Sequence, residues 1–218
     1  MTEVILVRHG QANSLAKDEA SYDRLSNLGH QQARWLGEYL RGTDHRVKRI
    51  ISGPLRRQRE TAAAISEVLG IDFTQDERLR ELDYFGLSKS MQEAHGLQVP
   101  SGRAEFIEHF PQVMEAWEEG RISSPVETYA DFSNRVLAAQ EEAETGDGTM
   151  LVTSGGVIAT AMRHILGLDV HAYAHMLLQV NNSSYHRYRM EYGARRLNCF
   201  NALAHLDHPD RADARTFV

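Results

Sequence analysis

The sequence contains a single cysteine, Cys199, among 218 residues, so no disulfide can form within the chain. It also lacks any apolar run approaching the ~20 residues that a membrane-spanning helix needs. Acidic residues outnumber basic ones, and the net charge of −6 disfavours a protein whose main role is to bind nucleic acid or an anionic membrane. No signal-peptide pattern opens the chain, and we therefore expect a cytoplasmic protein.

The composition is that of an ordinary globular protein, with 42% hydrophobic and 25% charged residues. A chain of this length fits one domain better than two. We predict a single domain over residues 1–204. The polar tail that follows, residues 205–218, is expected to be poorly ordered, at least in part.

Strand and helix patterns alternate along the chain. Strands are predicted at 3–8, 47–53 and 71–74, and helices at 26–42 and 54–70 lie between them. This alternation predicts a three-layer α/β/α fold with a mostly parallel central sheet.

In the second half of the chain, strand and helix patterns alternate less regularly. Helical patterns cover 101–120 and 131–144, and an apolar strand from residue 149 runs into Ser154-Gly155-Gly156 before another helix. Residues 183–201 alternate in polarity around Gly193 and predict a hairpin.

Three polar segments follow the carboxyl ends of predicted parallel strands: Arg8-His9-Gly10, residues 52–62 and residues 153–156. Ligands bind beyond such strand ends, so we expect all three segments at one rim of the sheet. Arginine side chains and helix N-termini suit phosphate oxygens. A histidine among them can donate a proton or attack phosphorus. A buried charge cluster without catalytic function is the alternative for His9.

Four segments, "LVRHG" (6–10), "SGPLRRQRETA" (52–62), "LREL" (79–82) and "LVTSGGVIATAM" (151–162), resemble the histidine phosphatase superfamily. This group contains cofactor-dependent phosphoglycerate mutases and many small-molecule phosphatases. The resemblance covers essentially the whole chain. It implies a phosphoglycerate mutase-like domain, a phosphorylated small-molecule substrate and no metal or cofactor, with residues 84–127 as a lid or recognition insertion.

The resemblance also implies roles for individual residues. His9 is the expected nucleophile that becomes phosphorylated, and Arg8 and Arg57 are expected to bind the phosphoryl group. Arg56 would then face elsewhere. Glu81 is the expected acid that protonates the leaving oxygen, for which partial burial should raise its pKa. Glu77 and Asp83 are the alternatives for this role.

One position departs from the family pattern. The family usually ends its fourth strand with histidine and glycine, whereas this chain has Ser154 and Gly155. We expect both to contribute to phosphate binding, but serine brings no positive charge, so the site is weakened or specialised. Asn13 is a further candidate for phosphate contact, although an ordinary turn residue is an equally good interpretation.

These features predict a phosphatase-type branch of the group, acting on a small phosphorylated metabolite through a phosphohistidine on His9. A mutase is the first alternative. Gln11, where mutases usually carry glutamate, and the modest chain length favour the phosphatase. A phosphate-binding regulatory protein with little turnover is the second alternative. His171 and His175 could share a helix face, but a metal site needs a third ligand, so helix packing is the simpler interpretation.

Overall fold

The computed structural model describes residues 2–13, 19–43 and 46–217. Its centre is a six-stranded mixed sheet with strand order β3-β2-β4-β1-β5-β6. The strands are β1 (Thr2–Arg8), β2 (Arg49–Ser52), β3 (Phe73–Gln75), β4 (Thr149–Thr153), β5 (Tyr185–Glu191) and β6 (Ala194–Ala202). The first four are mutually parallel, whereas β5 and β6 form an antiparallel hairpin that joins the sheet beside β1.

Helices cover both faces of this sheet. They are α1 (Glu19–Tyr22), α2 (Asn27–Arg41), α3 (Arg56–Leu69), α4 (Tyr84–His95), α5 (Arg103–Glu118), α6 (Tyr129–Ala143), α7 (Gly155–Leu166) and α8 (Val170–Gln179). Short 3₁₀ helices span Glu77–Leu79, Ala204–Leu206 and Pro209–Ala214. The predicted three-layer α/β fold is confirmed, with a sheet that is parallel over four of its six strands.

Strand β1 lies in the middle of the sheet because its side chains are apolar on both faces. Val4 and Leu6 belong to one hydrophobic cluster, and Ile5 and Val7 belong to the other. All four are fully buried. An apolar run of this kind is typical of a strand covered by helices on both sides.

The two clusters define the two helical layers. On one face, Leu36 and Leu40 of α2 pack with Ile65 of α3 against the sheet. On the other, side chains of α4 to α8 form the larger cluster, to which Phe132 and Ile158 belong. Helix α7 starts directly after β4, so its N-terminus lies at the same sheet edge as the end of β1.

The segment after β6 differs from the expectation of a poorly ordered tail. Residues 204–217 fold back onto the domain through specific contacts, of which the Arg211 guanidinium over the Trp35 ring, 4.5 Å from its centroid, is one. The Gln32 amide donates to the Ala214 carbonyl oxygen at 2.7 Å. Across the ranges that the structure describes, no helix combines the length and the apolar character that crossing a membrane requires.

Candidate active site

His9 follows the last residue of β1 and is held there by backbone hydrogen bonds. Its amide donates to the Thr153 carbonyl oxygen at 2.9 Å, and its own carbonyl oxygen accepts from the Ser183 amide at 3.1 Å. The next residue, Gly10, passes so close to helix α2 that a Cβ atom would lie 2.3 Å from the Gly29 carbonyl oxygen. A side chain at position 10 would therefore displace the histidine.

Hydrogen bonding of the His9 ring leaves one of its two nitrogen atoms unprotonated. Nδ1 lies 2.8 Å from the Gly10 carbonyl oxygen, which can only accept, so Nδ1 carries the proton and Nε2 keeps its lone pair. Burial, together with the charges of Arg57 and Arg8, holds the pKa of His9 well below its ordinary value. The imidazole is therefore neutral at neutral pH, as a nucleophile must be.

Two buried arginines flank this ring. The guanidinium of Arg8 donates to the Val180 carbonyl oxygen, while its Nε atom is buried without a hydrogen-bond partner in the described structure. Arg57 lies in the first turn of α3, where its Nη1 and its amide contact Asp23 Oδ1 at 3.2 and 3.0 Å. Arg56 is exposed and pairs with Glu60 at 2.6 Å, so it faces away as expected.

Glu81 faces the same cavity from the opposite side. Its carboxylate accepts from the Gly156 and Leu82 amides, each at 2.9 Å. Burial raises the pKa of Glu81 and outweighs the lowering effects of these amides and of the two arginines. A Cβ atom at position 156 would lie 2.3 Å from Glu81 Oε1, so the carboxylate can take this position only because residue 156 is glycine.

The alternatives to Glu81 are occupied elsewhere. Glu77 pairs with Arg80 at 2.7 Å, with its side chain 74% exposed. Asp83 caps helix α4 by accepting from the Gly86 amide at 3.0 Å, and it accepts a second bond from the Ser124 hydroxyl. Neither residue lines the cavity that contains His9, whereas Glu81 does.

That cavity has a volume of about 360 Å³. Its polar lining residues are Arg8, His9, Gln11, Tyr22, Arg57, Glu81 and Asn182. Four of its apolar wall residues, Tyr84, Phe85, Phe106 and Phe110, come from the segment 84–127. This segment was the predicted lid, and it contributes α4 and α5 to the wall.

Two residues expected at the phosphate lie elsewhere. The Ser154 hydroxyl accepts from Gln58 Nε2 at 2.8 Å, and Ser154 is fully buried outside the cavity lining, although its neighbour Gly155 lines it. The Asn13 amide donates to the Ser21 carbonyl oxygen at 2.9 Å, and Asn13 does not line the cavity. Phosphate binding by the side chains of Ser154 and Asn13 therefore stays a prediction, because neither residue lines the cavity.

Asn182 is a cavity residue that the sequence did not reveal. Its Oδ1 accepts from the Thr216 hydroxyl at 3.0 Å, and that hydroxyl accepts from Gln32 Nε2 at the same distance. Gln32 is oriented in turn because its Oε1 accepts from the Gln11 amide at 2.7 Å. This chain of bonds leaves the Nδ2 donors of Asn182 for the cavity. The position of Asn182 at the cavity depends on its hydrogen bond with Thr216, and no local sequence pattern indicates a contact between residue 182 and the C-terminal segment.

The histidine pair on α8 has no role at this site. His171 pairs with Glu115 of α5 at 3.4 Å, and His175 is exposed. Within residues 2–13, 19–43 and 46–217, no group of three or more His, Cys, Asp or Glu side chains is arranged to hold a metal ion.

Comparisons with known proteins identify the family of the chain. The profile of the histidine phosphatase superfamily (branch 1) matches residues 4–203, so the chain belongs to this superfamily. Among curated proteins, the probable phosphoglycerate mutase GpmB of Salmonella choleraesuis (strain SC-B67) is 34% identical over 193 residues, which are 86% of this chain and 84% of that protein.

Solved structures extend the comparison. A mycobacterial glucosyl-3-phosphoglycerate phosphatase in complex with VO3 has a TM-score of 0.66 and 26% identity, covering 93% of this chain and all of that chain. The phosphoglycerate mutase of Bacillus anthracis str. Sterne has a TM-score of 0.67 and 21% identity over 94% of both chains, and it shows the shared fold. The superfamily and its neighbours support a phosphoryl-transfer enzyme.

Proposed function

We propose that this protein is a phosphatase that hydrolyses a small phosphorylated metabolite through a phosphohistidine on His9. One observation carries the proposal: a neutral imidazole with its Nε2 lone pair available lies in one cavity with two buried arginines and a carboxyl group of raised pKa. A nucleophile, phosphate-binding cations and a proton donor are the groups that this reaction needs.

The reaction proceeds in two steps. In the first, His9 Nε2 attacks phosphorus in line, the ester P–O bond breaks, and the Glu81 carboxyl proton passes to the departing oxygen. In the second, water attacks the phosphohistidine, the P–N bond breaks, and the Glu81 carboxylate takes the proton of the water. The Gly10 carbonyl oxygen keeps the Nδ1 proton in place throughout, which fixes the ring in the reactive orientation.

The charge of the phosphoryl group is held by Arg8 and Arg57, assisted by Asn182 Nδ2 and the amide of Gly155 at the start of α7. Asn182 would supply a neutral donor in a site whose family usually has a second histidine. Hydrogen-bond donors aimed at a transferring group stabilise the transition state even without charge.

Phosphoryl transfer to a second substrate is the other candidate function, because the curated relatives at 34% identity are named as probable phosphoglycerate mutases. The two reactions share the phosphohistidine and differ in its acceptor. Hydrolysis in ¹⁸O-labelled water is therefore the direct test.

With p-nitrophenyl phosphate as substrate, we expect p-nitrophenol and inorganic phosphate in equal amounts. Each phosphate should carry one oxygen from water. Adding a phosphoglycerate should leave the phosphate yield unchanged, whereas a mutase would place the label-free phosphoryl group on that acceptor. If neither product rises above the background of a His9→Ala variant, the protein binds phosphate compounds without turning them over.

Replacing Asn182 by alanine should lower kcat by about 10²-fold, because the variant loses a preorganised donor at the transferring group. Inorganic phosphate should also become a weaker competitive inhibitor. Ser154→Ala is the matched control, since it removes a buried hydroxyl at the same rim that bonds to Gln58 and not to the cavity. Both kinetic constants should stay nearly unchanged in this control.

Steady-state kinetics with a generic aryl phosphate measures both variants. A Thr216→Val variant adds a second check, because it removes the hydroxyl that orients the Asn182 amide and should reproduce part of the loss. If Ser154→Ala loses activity, the serine hydroxyl binds phosphate as the sequence suggested; if Asn182→Ala keeps the wild-type kcat, the role of Asn182 is wrong.

A further inference from the structure

The cavity lining contains two chemically different sets of residues. Besides the polar residues around His9, it includes six large apolar side chains that we call the aromatic chamber: Tyr84, Phe85, Phe106, Phe110, Leu177 and Phe217. The rings of Tyr84 and Phe106 meet edge to face with centroids 5.2 Å apart, and Phe106 and Phe110 lie 5.5 Å apart. Such a cluster of rings favours an apolar, and particularly an aromatic, occupant.

Few charged residues line the cavity. Among the described lining residues, the arginines are Arg8 and Arg57 beside His9, and the carboxylate is Glu81. No other arginine or lysine is among the described lining residues; Arg103 contacts the Phe217 ring but does not itself line the cavity. A second carboxylate or phosphate on the substrate would lose its hydration there without gaining a partner, which is costly.

The chamber also provides little for a sugar or polyol to bind. The Tyr84 hydroxyl lies 3.0 Å from His109 Nδ1, outside the chamber wall. Burial lowers the pKa of His109, so this histidine adds no positive charge nearby. Hydroxyl groups of a bound polyol would therefore be left without partners.

One residue of the aromatic chamber, Phe217, lies outside the range that matches the family profile. The profile ends at residue 203, whereas Phe217 lies in the segment that folds back over the domain. The backbone N–H of Asn182 donates to the backbone carbonyl oxygen of Thr216 at 2.8 Å and so fixes the backbone next to Phe217. From the other side, the Arg103 guanidinium of α5 lies 3.9 Å from the ring centroid, in cation–π contact.

Two rings of the chamber are also incompletely covered. Phe217 is 50% exposed and Phe85 is 43% exposed. Large apolar side chains at a cavity mouth are typical of a surface that a ligand covers. The cavity volume of about 360 Å³ lies near the small end of the ~300–1,000 Å³ found for ligand sites, which suits one or two rings and not a long chain.

We propose that the substrate is a phosphate monoester of a small, uncharged, apolar alcohol, preferably aromatic, and that Phe217 helps select it. This inference rests on the proposed phosphatase activity and specifies its substrate class. The phosphate would lie between His9 and the arginines, and the apolar group would fill the aromatic chamber. Phosphoglycerates and phosphoserine, which carry a carboxylate beside the phosphate, would be poor substrates.

Benzyl phosphate and 3-phosphoglycerate form a suitable pair because both are alkyl esters with a poor leaving oxygen. We expect kcat/KM to be about 10²-fold higher for benzyl phosphate, the size of effect that burying one apolar group produces. Phe217→Ala and Phe106→Ala should each lower kcat/KM for benzyl phosphate by about 10-fold, mainly through KM. Inhibition by inorganic phosphate should not change in these variants.

Tyr192→Ala is the matched control. It removes an equally large ring that is fully exposed in the β5–β6 turn, and it should alter neither constant. A higher kcat/KM for 3-phosphoglycerate or phosphoserine than for benzyl phosphate would overturn the substrate class while leaving the phosphatase activity in place.

Binding measurements keep this inference separate from catalysis. The non-hydrolysable benzylphosphonate should bind wild-type protein about 10²-fold more tightly than phosphonoacetate, measured by calorimetry. Phe217→Ala should remove about tenfold of that difference. If the protein shows this binding preference but releases no phosphate from any substrate, the proposed ligand class is supported and the proposed hydrolysis is refuted. If the two phosphonates bind equally, the chamber does not select the substrate.

Discussion

Replacing His9 by alanine should reduce turnover by about 10⁶-fold, the loss typical of removing a nucleophile that acts together with its partners. The expectation follows from the position of Nε2, which faces the cavity while Nδ1 is held by the Gly10 carbonyl oxygen. The fold should survive, because His9 belongs to the cavity wall and neither hydrophobic cluster contains it.

The decisive measurement is the covalent intermediate. Wild-type protein quenched during turnover should carry phosphate that is labile in acid and stable in base, and His9→Ala should carry none. His171→Ala is the control, because it removes an exposed histidine that does not line the cavity and should leave labelling and rate unchanged. Phosphate on the alanine variant, or undiminished turnover, would refute the phosphohistidine on His9.

The second large effect is expected at Glu81. Glu81→Gln keeps the shape of the side chain but cannot supply a proton, so it should slow esters with poor leaving groups by about 10²–10⁴-fold in kcat/KM. Benzyl phosphate should show this loss. The loss for p-nitrophenyl phosphate should be much smaller, because its oxygen leaves without protonation. The constant kcat/KM is the appropriate measure because it excludes the later dephosphorylation step.

The pH dependence gives an independent readout of the same residue. Burial raises the pKa of Glu81, so its proton is present at low pH and is lost as the pH rises through that pKa. Burial and the charges of Arg57 and Arg8 lower the pKa of His9, so loss of its proton does not produce a fall in rate on the alkaline side. The rate on benzyl phosphate should therefore fall on the alkaline side in wild-type protein, and this fall should be absent in Glu81→Gln.

Equal losses on both esters, with the alkaline fall retained, would assign the proton donor to another group. Asp83→Asn serves as the comparison, since Asp83 was a rival in the sequence and caps α4 outside the cavity. Its effect should be on stability and not on leaving-group dependence.

Much of the fold could be predicted because its signals are local. The strand predicted at 3–8 contains four consecutive apolar residues and is observed as β1, and the helix predicted at 26–42 is observed as α2, capped by the Ser26 hydroxyl, which accepts from the Gly29 amide at 3.0 Å. Helix α4 was missed because Gly86 and two serines weaken its apolar periodicity. The contacts of the tail with the domain, such as Arg211 with Trp35 and Ala214 with Gln32, join residues far apart in sequence and leave its composition polar, so no local pattern indicates them.

The candidate site divides in the same way. His9 and Arg57 were expected at one sheet edge from short motifs, because His9 follows the end of β1 and Arg57 lies at the start of α3; Glu81 follows the 3₁₀ helix Glu77–Leu79, and all three line one cavity. Asn182 and Phe217 could not be located, because the contacts that bring them to the cavity join segments far apart in sequence. The direction of the Ser154 hydroxyl depends on Gln58, which no local pattern reveals.

The central place of β1 has a consequence during synthesis. Its neighbours in the sheet are β4 and β5. Val4 pairs with Thr149, which is synthesised about 145 residues later, and Ile5 pairs with Arg187, which is synthesised later still. At ~5–20 residues per second, the ribosome needs roughly 7–30 s to supply the first of these partners. Throughout that interval, one of the most apolar strands of the protein has neither edge paired. The nascent chain should therefore depend on chaperones, and destabilising changes in β4 or β5 should reduce soluble yield more than they reduce the activity of the molecules that fold.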